Sequence, residues 1–174
     1  NQLNGLMYGK LLDQNMPISF HGKNLLDAYE IDFETEILLN PQDLIPKTSF
    51  LKLSGHDTFL LKLSIHSNNS PMLTIFSDFK GVEFLSDYSF LTKSKSSILP
   101  TQISVSNFSN PEVYLFNELV ELHLKSFKDL KGYISIGRKL PIEFSYLKQA
   151  ESLNVYLGLD ELTSQIIESW TLPK

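Results

Sequence analysis

The amino-acid sequence predicts an α+β fold, an antiparallel sheet carrying two short helices on one face. Three observations lead there. Residues 29–37, 58–66 and 140–147 alternate apolar and polar side chains with the two-residue period of a half-buried strand. Residues 40–55 and 126–137 instead begin with helix-capping types, space apolar residues three and four apart, and meet a glycine where a helix would stop. The length of 174 residues, 42 % hydrophobic and 20 % charged, is that of a folded domain able to bury a core, not of a disordered tail.

In chain order, residues 1–28 mix short apolar groups with Gly5, Gly9, Gly22 and the pair Met16-Pro17. They read as a connector or the end of a preceding domain, with the domain proper running over 29–174, and Asn1 in place of an initiator Met fits a piece of a longer chain. In 29–37, Tyr29, Ile31 and Phe33 take one side and Glu30, Asp32 and Glu34 the other, so this strand has one wet, acidic face. Asn40-Pro41 then supplies an N-cap and a first-turn proline, with Asp43 in the first turn. Leu44, Ile45, Phe50, Leu51 and Leu53 continue the apolar stripe to Gly55, and Pro46 has to fall in the first turns of this helix.

Phe59, Leu61, Leu63 and Ile65 point one way in a strand over 58–66; the cluster 67–71 turns the chain, and 72–76 returns as its hairpin partner. Gly81 and Asp87 punctuate a strand near 82–85, ahead of a Ser/Lys-rich loop over 92–97. Residues 102–105 and 113–124 read as extended, while 111–122 also fits a helix by propensity. Ser126-Phe-Lys-Asp129 has the form of a capping box with Asp in the Glu position. It opens a helix with Phe127, Leu130 and Ile134 on one face and Lys128, Lys131 and Ser135 on the next. Ile142, Phe144 and Tyr146 alternate through 140–147, a turn follows at 148–152, 153–159 is a closing strand, and 160–174 is apolar enough to pack.

The absence of cysteine excludes disulfides, thiol nucleophiles, thiolate metal sites and iron–sulfur clusters, and suits a reducing compartment. No stretch approaches the roughly 20 apolar residues of a membrane helix, and the first residues do not form a signal peptide. The sequons at Asn68 and Asn107 are read as chance matches. Net charge is −5, from 20 acidic and 15 basic residues, but the signs are segregated. Lys125, Lys128, Lys131, Arg138 and Lys139 are opposed only by Asp129, whereas Asp27, Glu30, Asp32, Glu34, Glu36 and Asp43 stand with no base among them. A concentrated basic surface on an acidic protein suggests a localised anionic partner.

Signals for catalysis are weak. His21, His56, His66 and His123 lack the spacing that puts two ligands on one helix face, so no metal site is expected. Ser54, His56 and Asp57 hold the residue types of a triad, but adjacency does not supply its geometry, and a turn is the simpler reading. The carboxylates Glu30, Asp32, Glu34 and Glu36 share a strand face and could meet a hard cation, though such rows more often solubilise a strand. Gly132-Tyr-Ile-Ser-Ile-Gly137-Arg138-Lys139 imitates a phosphate loop but puts Arg at the lysine position and Lys at the magnesium-binding hydroxyl. No cofactor and no catalytic residue are expected. If the two helices lie side by side, their lysines form one cationic surface that could track phosphates without reading bases.

Leu140-Pro-Ile-Glu-Phe-Ser-Tyr146 followed by Leu153-Asn-Val-Tyr-Leu-Gly158 resembles the last two strands of the sliding DNA clamps typified by proliferating cell nuclear antigen. Residues 116–136 look like the strand and second helix of a clamp's second domain, 38–65 like its first strand and first helix, and 1–36 like the interdomain connector and its approach. The run 122–132 and the continuation 157–172 look most like the tail-bearing subunit of the heterotrimeric DNA-damage checkpoint clamp. The resemblance implies a clamp fold and a non-enzymatic, nuclear subunit that encircles double-stranded DNA without sequence preference. Its partners would be other clamp subunits, a clamp loader and client peptides. Lys47, Lys52, Lys125, Lys128, Lys131 and Arg138 would face the duplex, and Pro141, Tyr156 and Gly158 would line the groove for partner peptides. The alternative reading is an α+β interaction or assembly module unrelated to DNA.

Overall fold

The computed structural model describes residues 2–11, 13–25, 28–43, 51–86, 92–126, 131–136, 140–147 and 152–157. Within them the chain forms strands β1 (Gln2–Leu11), β2 (Gln14–Leu25), β3 (Ala28–Leu39), β4 (Leu51–Ser54), β5 (Asp57–His66), β6 (Asn69–Ser77) and β7 (Glu83–Ser86). It continues through β8 (Thr101–Ser106), β9 (Glu112–Phe116), β10 (Val120–Ser126), β11 (Lys131–Ile136), β12 (Leu140–Leu147) and β13 (Ser152–Leu157). Eleven of these make one antiparallel sheet in the order β1-β2-β3-β5-β6-β8-β9-β10-β11-β12-β13, and β4 pairs with β7 in a separate two-stranded sheet. The large sheet is a meander, each strand beside the next in the chain once β4 and β7 are looped out.

Register explains why the alternation in the sequence matters. Phe20 lies opposite Phe33, Phe33 opposite Leu63, and Leu63 opposite Leu73. Leu73 then meets Val105, Val105 meets Val113, and Val113 meets Leu124. Because directly paired residues share a face, these positions form one apolar face, joined by the parallel row Thr35, Leu61, Ile75, Ile103, Leu115, Leu122 and Ile134. The opposite face is mostly polar, carrying Glu30, Asp32 and Glu34 on β3, Lys62 and Ser64 on β5, and Tyr114, His123 and Tyr133 farther along.

Among the described residues, one end of the apolar face is sealed. The excursions containing β4 and β7 leave the sheet between β3 and β5 and between β6 and β8, hence from the same end, and pair with each other there. Phe79, on the second excursion, stands edge-on to Phe59 at 5.7 Å and to Phe84 at 5.2 Å. Met16, Ile37 and Phe59 are buried beneath it with Ile18, Leu39, Leu61 and Ile75 around them. Gly55 makes this crossing feasible: its φ is +110°, and a Cβ there would strike the carbonyl oxygen of Gly81. Away from this cap the apolar face stays half-buried, with Phe33, Leu63, Leu73, Val105 and Val113 all in that range.

The α+β expectation is therefore corrected: among the described residues there is no α-helix, and the two helices expected on one sheet face are absent. Among the described residues of 40–55 the capping signal builds a 3₁₀ turn, Pro41–Asp43, with Asn40 Oδ1 accepting from the Gln42 N–H at 3.0 Å. Residues 44–50 lie outside the described residues, and Leu51, Lys52, Leu53 and Ser54 then alternate as β4 against Glu83–Ser86. At 126–137 the period of two in Leu122, Leu124, Gly132 and Ile134 prevails over the three-and-four spacing of Phe127, Leu130 and Ile134. β10 and β11 pair directly, and 127–130, at their junction, lies outside the described residues. A partner strand satisfies every second main-chain group and buries β-branched residues well, which local helix propensity cannot match. The alternative helix over 111–122 is also absent, because Asn117 turns the chain: its side-chain oxygen accepts from the N–H groups of Leu119 at 2.9 Å and Val120 at 2.7 Å. Residues 2–25 form a hairpin that is hydrogen-bonded into the same sheet.

Candidate functional site

The most distinctive surface lies at the β1 edge. β1 pairs with β2 through an unbroken ten-residue register, so its other side has no strand beside it among the described residues. Leu3 is 65 % exposed, Leu6 58 %, Met7 42 %, Tyr8 79 % and Leu11 41 %. The strand's single charge, Lys10, is tied to Asp13 at 2.9 Å. Edge strands are ordinarily protected by charges, prolines or bulges, and β1 has none of these beyond that one lysine. Alongside, on the apolar face, lies an open groove of about 500 Å³ lined by Leu3, Met7, Phe20, Tyr29, Ile31 and Phe33, with Lys23 at its rim. Gly5 leaves room for the Phe20 ring of this lining, since a Cβ on Gly5 would fall within the ring opposite it.

The polar face holds two bonded clusters. Lys62 bridges Asp32 at 3.1 Å and Glu34 at 3.2 Å, and Ser64 donates to Asp32 at 2.6 Å. Burial would push the Asp32 carboxyl up, but the bonds from Ser64 and Lys62 and the charges of Lys62 and His66 hold it below the usual carboxylate range. The hydrogen bonds of both carboxylates raise the Lys62 ammonium above its ordinary value. Farther along, Tyr114 and Tyr133 both donate to Glu121 Oε1, at 2.9 and 2.8 Å, with the His123 ring edge-on between them. The bond to Glu121, then burial, then the Glu121 charge push the Tyr133 phenol up to about 12. These are paired networks that brace adjacent strands, leaving no carboxylate of the β3 row beside Lys62 free for a cation.

The remaining chemical candidates resolve into structural roles. Ser54 Oγ donates to Glu83 at 3.4 Å, Asp57 accepts from Ser77 at 2.5 Å, and His56 is exposed, so the three residues do not make a triad. Lys93, 7 % exposed, donates to the carbonyls of Val82 at 2.8 Å and Ser94 at 3.0 Å and lies over the Phe84 ring. Burial lowers its pKa against the charge of Asp57, and its bonds staple the loop after β7 to the cap. Among the described residues no group of three or more His, Asp or Glu stands together as a metal site.

Of the residues expected to face DNA, Lys52 sits exposed on β4 in the small sheet, opposite Leu85. Lys125 and Lys131 come together at one end of the β10–β11 hairpin, where the register slips between Leu124 and Ser126. Lys47, Lys128 and Arg138 lie outside the described residues, as does Gly158 of the expected peptide groove. Pro141 is on β12 opposite Ser135, and Tyr156 is on β13 opposite Glu143. Sequence reasoning misses the β1 edge because Gly5 and Gly9 read as interruptions. Their position opposite Phe20 and Met16, small residues against large ones, is the signal that marks a hairpin. Comparison of the chain with protein-family models, curated proteins and solved structures finds no match.

Proposed function

We propose that this chain is a non-enzymatic interaction and assembly module that offers its β1 edge and the adjoining apolar face to a protein surface. The observation that carries this reading is the β1 edge: five large apolar or aromatic side chains exposed along ten residues, beside an apolar groove. Leu3, Met7 and Leu11 share the face of the groove, and Leu6 and Tyr8 stand on the other face of the same edge; exposed apolar side chains gathered along an unpaired edge mark interaction sites. Support for a role without catalysis comes from the groove itself, whose lining brings together apolar and aromatic side chains rather than a nucleophile and a base. The clamp reading loses the paired inner helices that would have gathered its lysines, and Lys52 is on a different sheet from Lys125 and Lys131.

The test is photo-crosslinking in the source cell, with a photoreactive residue placed at Leu3 or Tyr8 and, as a control, at the exposed loop residue Ser96. Protein adducts at the first two positions and not at the third are expected. Equal labelling at all three, or none, refutes the reading.

A further inference from the structure

We infer that the occupant of the β1 edge is the β1 strand of a second copy of this chain, paired antiparallel about a two-fold axis through Met7. This rests on the interaction-module reading and names its partner. The Leu11–Gln14 pair closes a two-residue turn, and such a turn closes on residues that exchange both main-chain hydrogen bonds. Alternation then commits odd-numbered residues of β1 to β2 and turns the N–H and C=O groups of Asn4, Leu6, Tyr8 and Lys10 outward.

A two-fold axis along the sheet normal keeps each face on its own side, so even residues must meet even residues and odd must meet odd. Centring on Met7 satisfies this and matches the chemistry at every step. Leu6 meets Tyr8, Asn4 meets Lys10, Gly5 meets Gly9, and Leu3 meets Leu11. No like charges oppose one another, and the two hydrogen-bonded kinds of pair, Asn4 with Lys10 and Leu6 with Tyr8, are those whose main-chain groups already point outward. The apolar grooves of the two copies become continuous across the junction, with Leu3 and Met7 of each copy at the join. An isologous pairing also closes on itself and removes the exposed edge from both copies, instead of propagating a filament.

Met7 would face its own counterpart in a non-hydrogen-bonded pair, where the Cα atoms approach to about 4.5 Å, within disulfide range. Because the chain has no cysteine, Met7→Cys supplies its sole thiol. Under mild oxidation Met7→Cys should form a covalent dimer, Leu3→Cys and Leu11→Cys should each stay monomeric alone, and a mixture of those two should crosslink. Light scattering on the unmodified chain at high micromolar concentration should give twice the chain mass. Tyr8→Lys, which places like charges near the junction at a side chain 79 % exposed, should weaken the dimer at least tenfold without changing the circular dichroism of the monomer.

A monomeric mass, or Met7→Cys crosslinking no better than Ser96→Cys, overturns the inference. Adducts from Leu3 to a different protein and none to the chain itself would overturn self-pairing while leaving the module reading in place. The absence of any adduct at Leu3 and Tyr8 would remove both.

Discussion

Phe59→Ala should be the most costly single truncation among the described strands, and its cost comes from the place where, among those residues, the apolar face is sealed. Phe59 is 3 % exposed, packs with Met16 and Ile37, and stands edge-on to Phe79 at 5.7 Å. Removing the ring forfeits about 2–3 kcal/mol of apolar burial and about 0.5–1.5 kcal/mol of aromatic contact. With the cavity left beneath the cap, the total is about 3–5 kcal/mol. That is a large part of the roughly 5–15 kcal/mol by which a domain is stable. Leu63, on the same face but away from the cap, is only half-buried, and Leu63→Ala should cost about 1–2 kcal/mol. Urea unfolding followed by far-ultraviolet circular dichroism measures both, with the slope of each transition checked for constancy. If Phe59→Ala costs no more than Leu63→Ala, the cap does not seal this end and the case for a face open elsewhere fails with it.

Three further outcomes are expected. Tyr133 should ionise near 12, and Glu121→Gln should return it toward 10; phenolate absorbance in which every tyrosine titrates together near 10 in the unaltered protein would contradict the shared Glu121 acceptor. Its folded pKa is raised above the unfolded value, so the stability it contributes is full below about pH 10 and lost as pH climbs toward 12. Asp32 is the opposite case, its folded pKa being depressed: Asp32→Asn should cost about 1 kcal/mol at neutral pH, and the gap from wild type should close as pH falls below about 4. A pH-independent gap would show that packing, not the charge held by Lys62 and Ser64, is responsible. Gly55→Ala should lower stability by about 2–3 kcal/mol, since φ is +110° and the methyl meets the Gly81 carbonyl; a loss under about 0.5 kcal/mol in thermal unfolding would mean the crossing is not rigid.

Strand alternation is legible in the sequence: the runs at 29–37, 58–66, 72–76, 102–105 and 140–147 lie within β3, β5, β6, β8 and β12. The two expected helices fail for a specific reason. Asn40 caps, as such residues do, and Ser126 ends β10, but a cap fixes only the first turn and leaves the conformation of later residues open. Helical spacing places Lys52 and Lys131 on helix faces, whereas both stand on strands, Lys52 on β4 and Lys131 on β11. The candidate edge is hidden differently, because glycine in 1–28 suggests a connector until Phe20 and Ile18 are seen beside Gly5 and Gly9.

The local period, meaning which residues take opposite faces of a strand and which of those faces is apolar, is written in the chain itself. A two-residue alternation depends only on the pleat and needs no knowledge of neighbours. Strand order, the joining of the β4 and β7 excursions into a cap, and the single neighbour of β1 among the described residues emerge only in three dimensions. They depend on main-chain hydrogen bonds between segments far apart in the chain, such as Asp57–His66 with Ala28–Leu39 and Leu51–Ser54 with Glu83–Ser86. A strand at the centre of a sheet and one at its edge can share the same pattern of side chains; only the partner on each side tells them apart.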